Sequence, residues 1–284
     1  MQNKQSKNAG NRGDRLKHAI LLEILDYTIQ NNIWSYRESH AGAGYYDLNE
    51  HSMELLNFLS TNEKNNLQGV GQLYGQILKQ WWIKNTKTYP GSIALASEIL
   101  YRNSKSLDKI DIRATEVDIE AFTRLYSLKS EFNLGLKNES FDTNLDWLCE
   151  GSSMVFLIDP FFYDINVKMQ SGGFGREQLI NIFKNLSIKK AAVLIIFTSY
   201  IERSHKKTYE DLKMDISNHL PPKSVARHFI TTRKKNGKTY YWISVIGFGD
   251  GVKIVKGLHS DWNKSWLASK EINTLIKEVN EIYQ

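Results

Sequence analysis

Short apolar runs alternate with helical patterns along most of this chain, and this alternation restricts its fold more than any other feature. Residues 154–158 and 191–197 are continuous apolar runs of strand length, so we predict that both are buried strands. Leucine and isoleucine recur at helical spacing over 14–30, which predicts a helix there. Strands that alternate with helices in this way are typical of an α/β fold.

The other predicted elements continue the alternation towards the end of the chain. Further strands are predicted over 33–38 and 109–115, and further helices over 92–101, 119–129, 176–185 and 209–216, with a short helix or turn over 140–148. Strands over 227–233 and 238–246 flank Asn236-Gly237, a strong hairpin signal, and a last helix is predicted over 271–283. The sheet should therefore end in antiparallel strands.

Residues 46–88 interrupt the alternation. Helical patterns over 52–59 and 69–84 follow one another without a strand between them, and the second contains Trp81 and Trp82. Tandem tryptophans can stack on nucleobases, although packing in a core is their commoner use. We predict that 46–88 is a helical insertion, preceded by the start of the core at 1–45 and followed by its remainder at 89–284.

Three successive predicted strands end in an acidic residue, namely Glu38, Glu116 and Asp159. The carboxyl ends of parallel strands lie along one edge of a sheet, where α/β proteins bind their ligands. The first strand is followed by Ser39-His40-Ala41-Gly42-Ala43-Gly44, a turn whose small residues allow a ligand to approach the backbone. Glu116 could accept hydrogen bonds from a ribose diol. This edge is therefore predicted to bind a nucleotide-like cofactor.

The tetrapeptide Asp159-Pro160-Phe161-Phe162 lies where the strand over 154–158 ends. Its carboxylate could accept one hydrogen of a planar amino group, a backbone carbonyl could accept the other, and an aromatic ring could stack on the base. The alternative is an ordinary turn in which proline ends the strand and the aromatic residues pack in the core.

Composition indicates the kind of partner and the compartment. The formal net charge of +6 favours a polyanionic partner such as nucleic acid. Cys149 is the single cysteine, which excludes an internal disulfide and fits the cytoplasm. The polar segment 1–8 does not resemble a signal peptide, no apolar stretch is long enough to span a membrane, and the seven histidines lack metal-ligand spacing.

Five segments resemble, in the same order, the motifs of one family. They are AGNRGDRLKH at 9–18, SHAGAG at 39–44, YPGS at 89–92, the acid Glu116 and LIDP at 157–160. Together they resemble the RlmJ-type 23S ribosomal RNA adenine-N6 methyltransferases. The resemblance extends from about residue 9 to residue 164 and is vague beyond it.

The resemblance implies a fold and an activity. It implies a class I Rossmann-like methyltransferase sheet with a helical insertion after the first strand, and S-adenosylmethionine as methyl donor. It also implies transfer to the N6 amino group of an adenine in RNA, with ribosomal RNA as the expected substrate. Separately, we expect the protein to be a monomer. No metal is implied.

The resemblance further implies roles for individual residues. Asp159 should accept a hydrogen bond from the target amino group, with the Pro160 carbonyl accepting the second hydrogen and Phe162 stacking on the base. Either Ser140 or Asp142 should border the adenine of the cofactor. The residues expected around the rest of the cofactor are Lys17, His18, His40, Gly42, Gly44, Ser92 and Glu116, and those expected near the substrate are Asn11, Arg12 and Phe161.

The chain departs from the family pattern at several positions. Phe161 stands where the family has proline, Arg12 where it has histidine, and Ile93 where it has proline. These departures leave other functions open: methylation of DNA adenine or of another amino group, or a module that binds cofactor or nucleic acid with weakened catalysis.

Overall fold

The computed structural model describes residues 9–61, 71–160, 163–166, 173–233, 239–259, 267 and 274–283. Its strands are β1 (Ser35–Glu38), β2 (Tyr45–Asp47), β3 (Thr88–Pro90), β4 (Asp111–Thr115), β5 (Leu134–Lys137), β6 (Ser153–Ile158), β7 (Ala191–Ile201), β8 (Val225–Arg233), β9 (Thr239–Gly249) and β10 (Thr274–Tyr283). Its helices are α1 (Arg12–Gln30), α2 (Glu50–Thr61), α3 (Gln72–Lys84), α4 (Ser92–Asn103), α5 (Ile119–Tyr126), α6 (Leu145–Leu148), α7 (Arg176–Ser187), α8 (Glu202–His219) and α9 (Gly251–Gly257).

Eight of the described strands form one sheet, in the order β10-β8-β9-β7-β6-β1-β4-β5. The five strands from β7 to β5 in that order are mutually parallel, whereas β9 pairs antiparallel with β7, β8 with β9, and β10 with β8. The chain builds the sheet outward from β1 through β4 to β5, then returns to place β6 on the other side of β1. This order confirms the predicted α/β class, a Rossmann-like sheet with an antiparallel end.

Helices cover both faces of the sheet. Val155 and Leu157 of β6 belong to the core beneath α1, α4 and α9, whereas Phe156 and Ile158 belong to the core beneath α6, α7 and α8. Successive residues of a strand point to opposite faces, so a strand buried on both faces must be apolar throughout. The uninterrupted apolar run that predicted β6 is therefore a consequence of its central place.

The predicted helices at 52–59 and 69–84 correspond to α2 and α3, which lie between β2 and β3. These two short strands pair with each other rather than with the main sheet. Trp81 and Trp82 are buried, and their indole nitrogens donate to the side chain and the carbonyl of Thr88 at 3.2 and 2.9 Å. Both tryptophans thus pack the helices onto β3. The division into domains stays a prediction.

The predicted antiparallel pair near the end of the chain is confirmed, since β8 and β9 pair antiparallel. Its turn, Asn236-Gly237, lies outside the described residues. The predicted helix at 271–283 is wrong, because 274–283 form β10, which pairs antiparallel with β8. Without β10, β8 would be an edge strand with unpaired backbone N–H and C=O groups. The pairing of β10 with β8 outweighs the helical pattern in the sequence of β10.

Two further observations concern ligands and membranes. Within the described ranges, no helix has the length and hydropathy needed to cross a bilayer. Among the same residues, no three histidine, cysteine, aspartate or glutamate side chains lie close enough together to hold a metal ion.

Candidate active site

The candidate site lies at the carboxyl ends of β1, β4 and β6, where the strand order of the sheet reverses. In open α/β sheets, such a switch point opens a crevice for ligands. The turn at 39–44 leaves β1 and is attached to both neighbouring strands: the Ser39 N–H donates to the Leu157 carbonyl at 3.1 Å, and the Ala41 N–H donates to the Thr115 carbonyl at 3.1 Å. The predicted Gly-rich turn is therefore a fixed wall of the crevice.

Glycine is required at two positions of this turn. Gly42 and Gly44 have φ of 59° and 73°, a region that other residues rarely adopt. A Cβ on Gly44 would also lie 2.7 Å from Leu128 Cδ1. The Gly44 carbonyl accepts a hydrogen bond from the Gly91 N–H at 2.8 Å, so the YPGS segment lies directly against the turn.

Glu116 faces the turn from the end of β4. Its two carboxylate oxygens accept hydrogen bonds from the Gly42 N–H at 2.7 Å and the Asp118 N–H at 2.9 Å. Burial raises the pKa of Glu116. The carboxylate is thus placed beside the turn, as predicted, and it fixes the conformation of that turn through Gly42.

Glu38 is a buried acid of the site that the sequence indicated only as the end of a strand. It accepts hydrogen bonds from the Tyr36 hydroxyl at 2.8 Å and from the Ser92 hydroxyl. Burial raises the pKa of Glu38 from an ordinary 4.5 to about 8, against the opposing effect of these two donors. Ser92, expected near the cofactor, therefore lies at the site and is bonded to Glu38.

Lys17 and Asp159 form an ion pair although 142 residues separate them in the sequence. Lys17 Nζ lies 2.6 Å from Asp159 Oδ2 and 3.0 Å from Asp14 Oδ1, and 4.9 Å from the centre of the Phe197 ring. Burial alone would lower the pKa of Lys17, but the charges of Asp14 and Asp159 outweigh burial and raise that pKa above its usual value. The lysine is therefore a permanent cation.

Asp159 follows the last residue of β6, as the sequence predicted, and its side chain is 22% exposed. Burial raises the pKa of this carboxyl, and Lys17 opposes the increase. Pro160, the next residue, is buried. Phe161 and Phe162, the other residues of the tetrapeptide, lie outside the described residues, so their expected roles stay predictions.

His18 lies in a buried chain of hydrogen bonds. Its Nδ1 is 2.9 Å from the Tyr89 hydroxyl, which is 2.8 Å from the Tyr74 hydroxyl of α3. Burial, together with the charge of Lys17, lowers the pKa of His18 well below its usual value, so the ring is neutral. Within the described part of the chain, its buried Nε2 has no hydrogen-bond partner. The expected role of His18 beside the cofactor stays a prediction.

Asp142 differs from Ser140 in keeping one buried oxygen without a partner among the described residues. Asp142 Oδ1 accepts hydrogen bonds from the Ser140 hydroxyl and from the Thr143 N–H at 3.0 Å. Asp142 Oδ2 is buried and has no partner among the described residues. A buried acceptor without a donor is costly unless a ligand supplies one.

His40 lies at the start of the Gly-rich turn. Its Nδ1 is 2.6 Å from the Ser39 hydroxyl oxygen, and its ring packs against Phe141, with 5.2 Å between ring centres. Phe141 immediately precedes Asp142. The ring therefore joins the turn to the segment that carries the buried acid.

Two of the three expected substrate residues, Asn11 and Arg12, lie at the first turn of α1. Asn11 caps the helix by accepting a hydrogen bond from the Asp14 N–H at 3.1 Å, and Asp14 in return accepts one from the Gly10 N–H at 3.0 Å. Arg12 is partly exposed on this turn. The capping explains how Asp14 reaches Lys17, a contact that the sequence did not indicate.

No protein family model matches the chain, and no curated protein matches it. Among solved structures, protein LPL1258 of Legionella pneumophila, of family DUF519, superposes with a TM-score of 0.66 at 19% identity, covering 96% of this chain and 98% of that one. This likeness shows a shared fold over nearly the whole of both chains.

Two other structures are less similar. An rRNA methylase of Streptococcus thermophilus has a TM-score of 0.41 at 12% identity, with 81% of this chain and 93% of that one covered. The N-terminal domain of human METTL16, in complex with SAH, has a TM-score of 0.37 at 10% identity, with 79% and 66% covered.

Proposed function

We propose that this protein is an S-adenosylmethionine-dependent methyltransferase that acts on the N6 amino group of adenine in RNA, with ribosomal RNA as the first substrate to test. The observation that carries the proposal is the ion pair of Lys17 and Asp159, which lies at the switch point beside a Gly-rich turn. The order of the sequence motifs and the net charge of +6 support RNA as the partner.

The residues of the crevice fit S-adenosylmethionine. The turn at 42–44 lets a ligand approach the backbone, and Glu116 lies against it where a ribose diol binds in related sheets. Asp142 Oδ2 is a buried acceptor suited to the amino group of the cofactor's adenine, and His18 Nε2 is a second unpartnered polar atom among the described residues. When bound, this cofactor would supply a methyl group carried on a sulfonium. The sulfur would leave as a neutral thioether, which needs no metal.

Asp159 and Pro160 would act on the target amine. The exocyclic nitrogen of adenine is a weak nucleophile because its lone pair is delocalised into the ring. If Asp159 accepts one N–H and the Pro160 carbonyl accepts the other, the nitrogen would become pyramidal and its lone pair would be available to bond the incoming methyl group, after which one N–H proton would leave to solvent. These contacts catalyse by orientation and by stabilising developing positive charge on nitrogen. Lys17 opposes the effect of burial on the pKa of Asp159 and so favours the ionised carboxylate, which accepts a hydrogen bond.

Product identification tests the proposal. The purified protein is incubated with labelled S-adenosylmethionine and, separately, with unmodified ribosomal RNA, duplex DNA and cell-extract protein, and the labelled nucleosides are identified by mass spectrometry. We expect N6-methyladenosine from the RNA. Label in DNA or protein but not RNA would overturn the substrate assignment, and label in none of them would overturn the proposed function.

A further inference from the structure

The buried carboxylate of Asp215, which lies outside the site, accepts hydrogen bonds from two segments that come after Asp159 and Pro160 in the chain. Asp215 of α8 is fully buried. Its Oδ2 accepts a hydrogen bond from the Tyr163 hydroxyl at 2.5 Å, and its Oδ1 accepts one from Arg176 Nε at 2.8 Å. Both oxygens are therefore engaged, and we call these three residues the Asp215 clamp.

The clamp acts on the chain close to Asp159. Tyr163 comes four residues after Asp159, and Arg176 is the first residue of α7. The Asp164 N–H also donates to the Phe174 carbonyl at 3.0 Å, so the residues around 163 and those around 175 lie side by side. One carboxylate thus contacts the chain near both ends of the segment between β6 and α7.

Aromatic contacts connect the clamp to the Gly-rich turn. The ring of Tyr163 meets that of Phe174 edge-on, with 5.5 Å between centres. Phe174 lies 6.4 Å from Phe141, whose ring packs against His40 at 5.2 Å. The clamp is therefore continuous in packing with the wall of the crevice that carries His40 and Asp142.

The clamp combines an ion pair between Arg176 and Asp215 with a hydrogen bond from Tyr163 to Asp215. Burial and the charge of Asp215 raise the pKa of Tyr163, so its hydroxyl stays a donor. Arg176, whose side chain is 40% exposed, supplies the positive charge that compensates a carboxylate exposed by only 1%. Removing one member of a buried charged network leaves the others without a partner, which is costly.

We propose that Asp215 is a positioning residue: through Tyr163 and Arg176 it fixes the backbone that carries Asp159 and Pro160 at the distance from the Gly-rich turn that methyl transfer requires. This inference rests on the proposed function. Asp215 itself does not touch the reacting atoms, so its loss should affect turnover more than cofactor binding, since an error of about 1 Å in a reacting group can cost about a hundredfold in rate.

Two conservative variants test the clamp. Tyr163→Phe keeps the ring and removes only the hydroxyl, and Asp215→Asn keeps the shape and removes the charge. The matched controls are Tyr126→Phe and Asp108→Asn, which change exposed residues. For each protein we would measure kcat, KM for RNA, cofactor affinity by calorimetry, and hydrogen exchange of peptides that cover 154–166 and 173–180.

We expect kcat to fall about tenfold or more in both clamp variants, with cofactor affinity within twofold of wild type and faster exchange in both peptides. The double variant should be no worse than Asp215→Asn alone, because the two residues act as one unit. Unchanged exchange and kcat, or an equal loss in the control variants, would overturn the inference. If the wild-type protein transfers no methyl group, the proposed function fails, while the exchange data still decide whether the clamp fixes the segment.

Discussion

Lys17 is held between two carboxylates and an aromatic ring, and this environment determines what Asp159 can do. The carboxyl group of Asp159 loses hydration on burial, which raises its pKa, and the ammonium group 2.6 Å away opposes that increase. An ionised Asp159 accepts hydrogen bonds at both oxygens, whereas a protonated one has an O–H donor and is a weaker acceptor for an amine. The protonation state of one residue therefore controls the proposed reaction.

Replacing Lys17 should change the pH dependence of the reaction. The rate should increase with pH as Asp159 ionises, and in Lys17→Gln the pKa of Asp159 is raised further because burial is no longer opposed. The acid limb of the pH–rate profile should therefore move to higher pH, and the rate on its plateau should also fall. Lys84→Gln, at a lysine that is 61% exposed, serves as the control. An acid limb at the wild-type position would contradict the proposed role of Lys17.

Glu38 should make stability depend on pH in the opposite sense to most acidic residues. Its folded pKa of about 8 lies above its ordinary 4.5, so the unfolded chain loses this proton first as pH rises. The stability that Glu38 contributes is therefore fully present below about pH 4.5. It is lost as pH rises towards 8, by up to about 1.4 kcal/mol per pH unit.

The variant Glu38→Gln removes this titration. As pH rises from 5 to 8, its free energy of unfolding should increase relative to that of wild type. The difference should be constant above pH 8. Urea unfolding at pH 5, 6.5, 8 and 9 measures both proteins. A difference that does not vary with pH would show that Glu38 is ionised in the folded protein.

At the scale of elements, helix α1 positions Lys17 and approaches the sheet unusually closely. A Cβ on Gly13 would lie 2.3 Å from Tyr241 Cδ1 of β9 and 2.8 Å from Phe197 Cζ of β7. These two rings stack, and Phe197 also lies beneath Lys17. Gly13 therefore sets the distance between the first turn of α1 and the strand ends that carry the site.

Gly13→Ala should destabilise the protein and lower turnover, although alanine favours a helix by about 0.5–1 kcal/mol over glycine. Either α1 or the Tyr241 ring must move, and Lys17 moves with the helix. We would measure the melting temperature and methyl transfer. In the control, Gly257→Ala, the added Cβ meets no atom closer than 4.0 Å. Equal or higher stability of Gly13→Ala would show that the close approach has no cost.

The sequence predicted the central elements better than those at the edges. β6 and β7 are buried on both faces, so their apolar runs were sufficient evidence. β5 has only four residues, three of them partly exposed, and it was missed. β10 has a pattern that fits a helix, and its pairing with β8 could not be deduced from local sequence.

At the scale of the whole molecule, the fold brings distant residues into one site. The order of five motifs predicted Lys17, Gly42, Glu116 and Asp159 around one site, and the fold brings Gly42 against Glu116 and Lys17 against Asp159. The sequence left Ser140 and Asp142 open, since alignment by Leu145 favours Ser140, and the buried oxygen of Asp142 that has no partner among the described residues depends on tertiary packing. It also did not indicate Asp14 or Asp215, since their roles depend on contacts between elements.

The most direct test of the central claim is methyl transfer by Asp159→Ala to unmodified ribosomal RNA, measured beside cofactor affinity in the same protein. We expect wild-type protein to form N6-methyladenosine, and the variant to lose at least a hundredfold in rate while it still binds S-adenosylmethionine. Retained turnover in Asp159→Ala would contradict the assignment of Asp159 as the residue that orients the target amine.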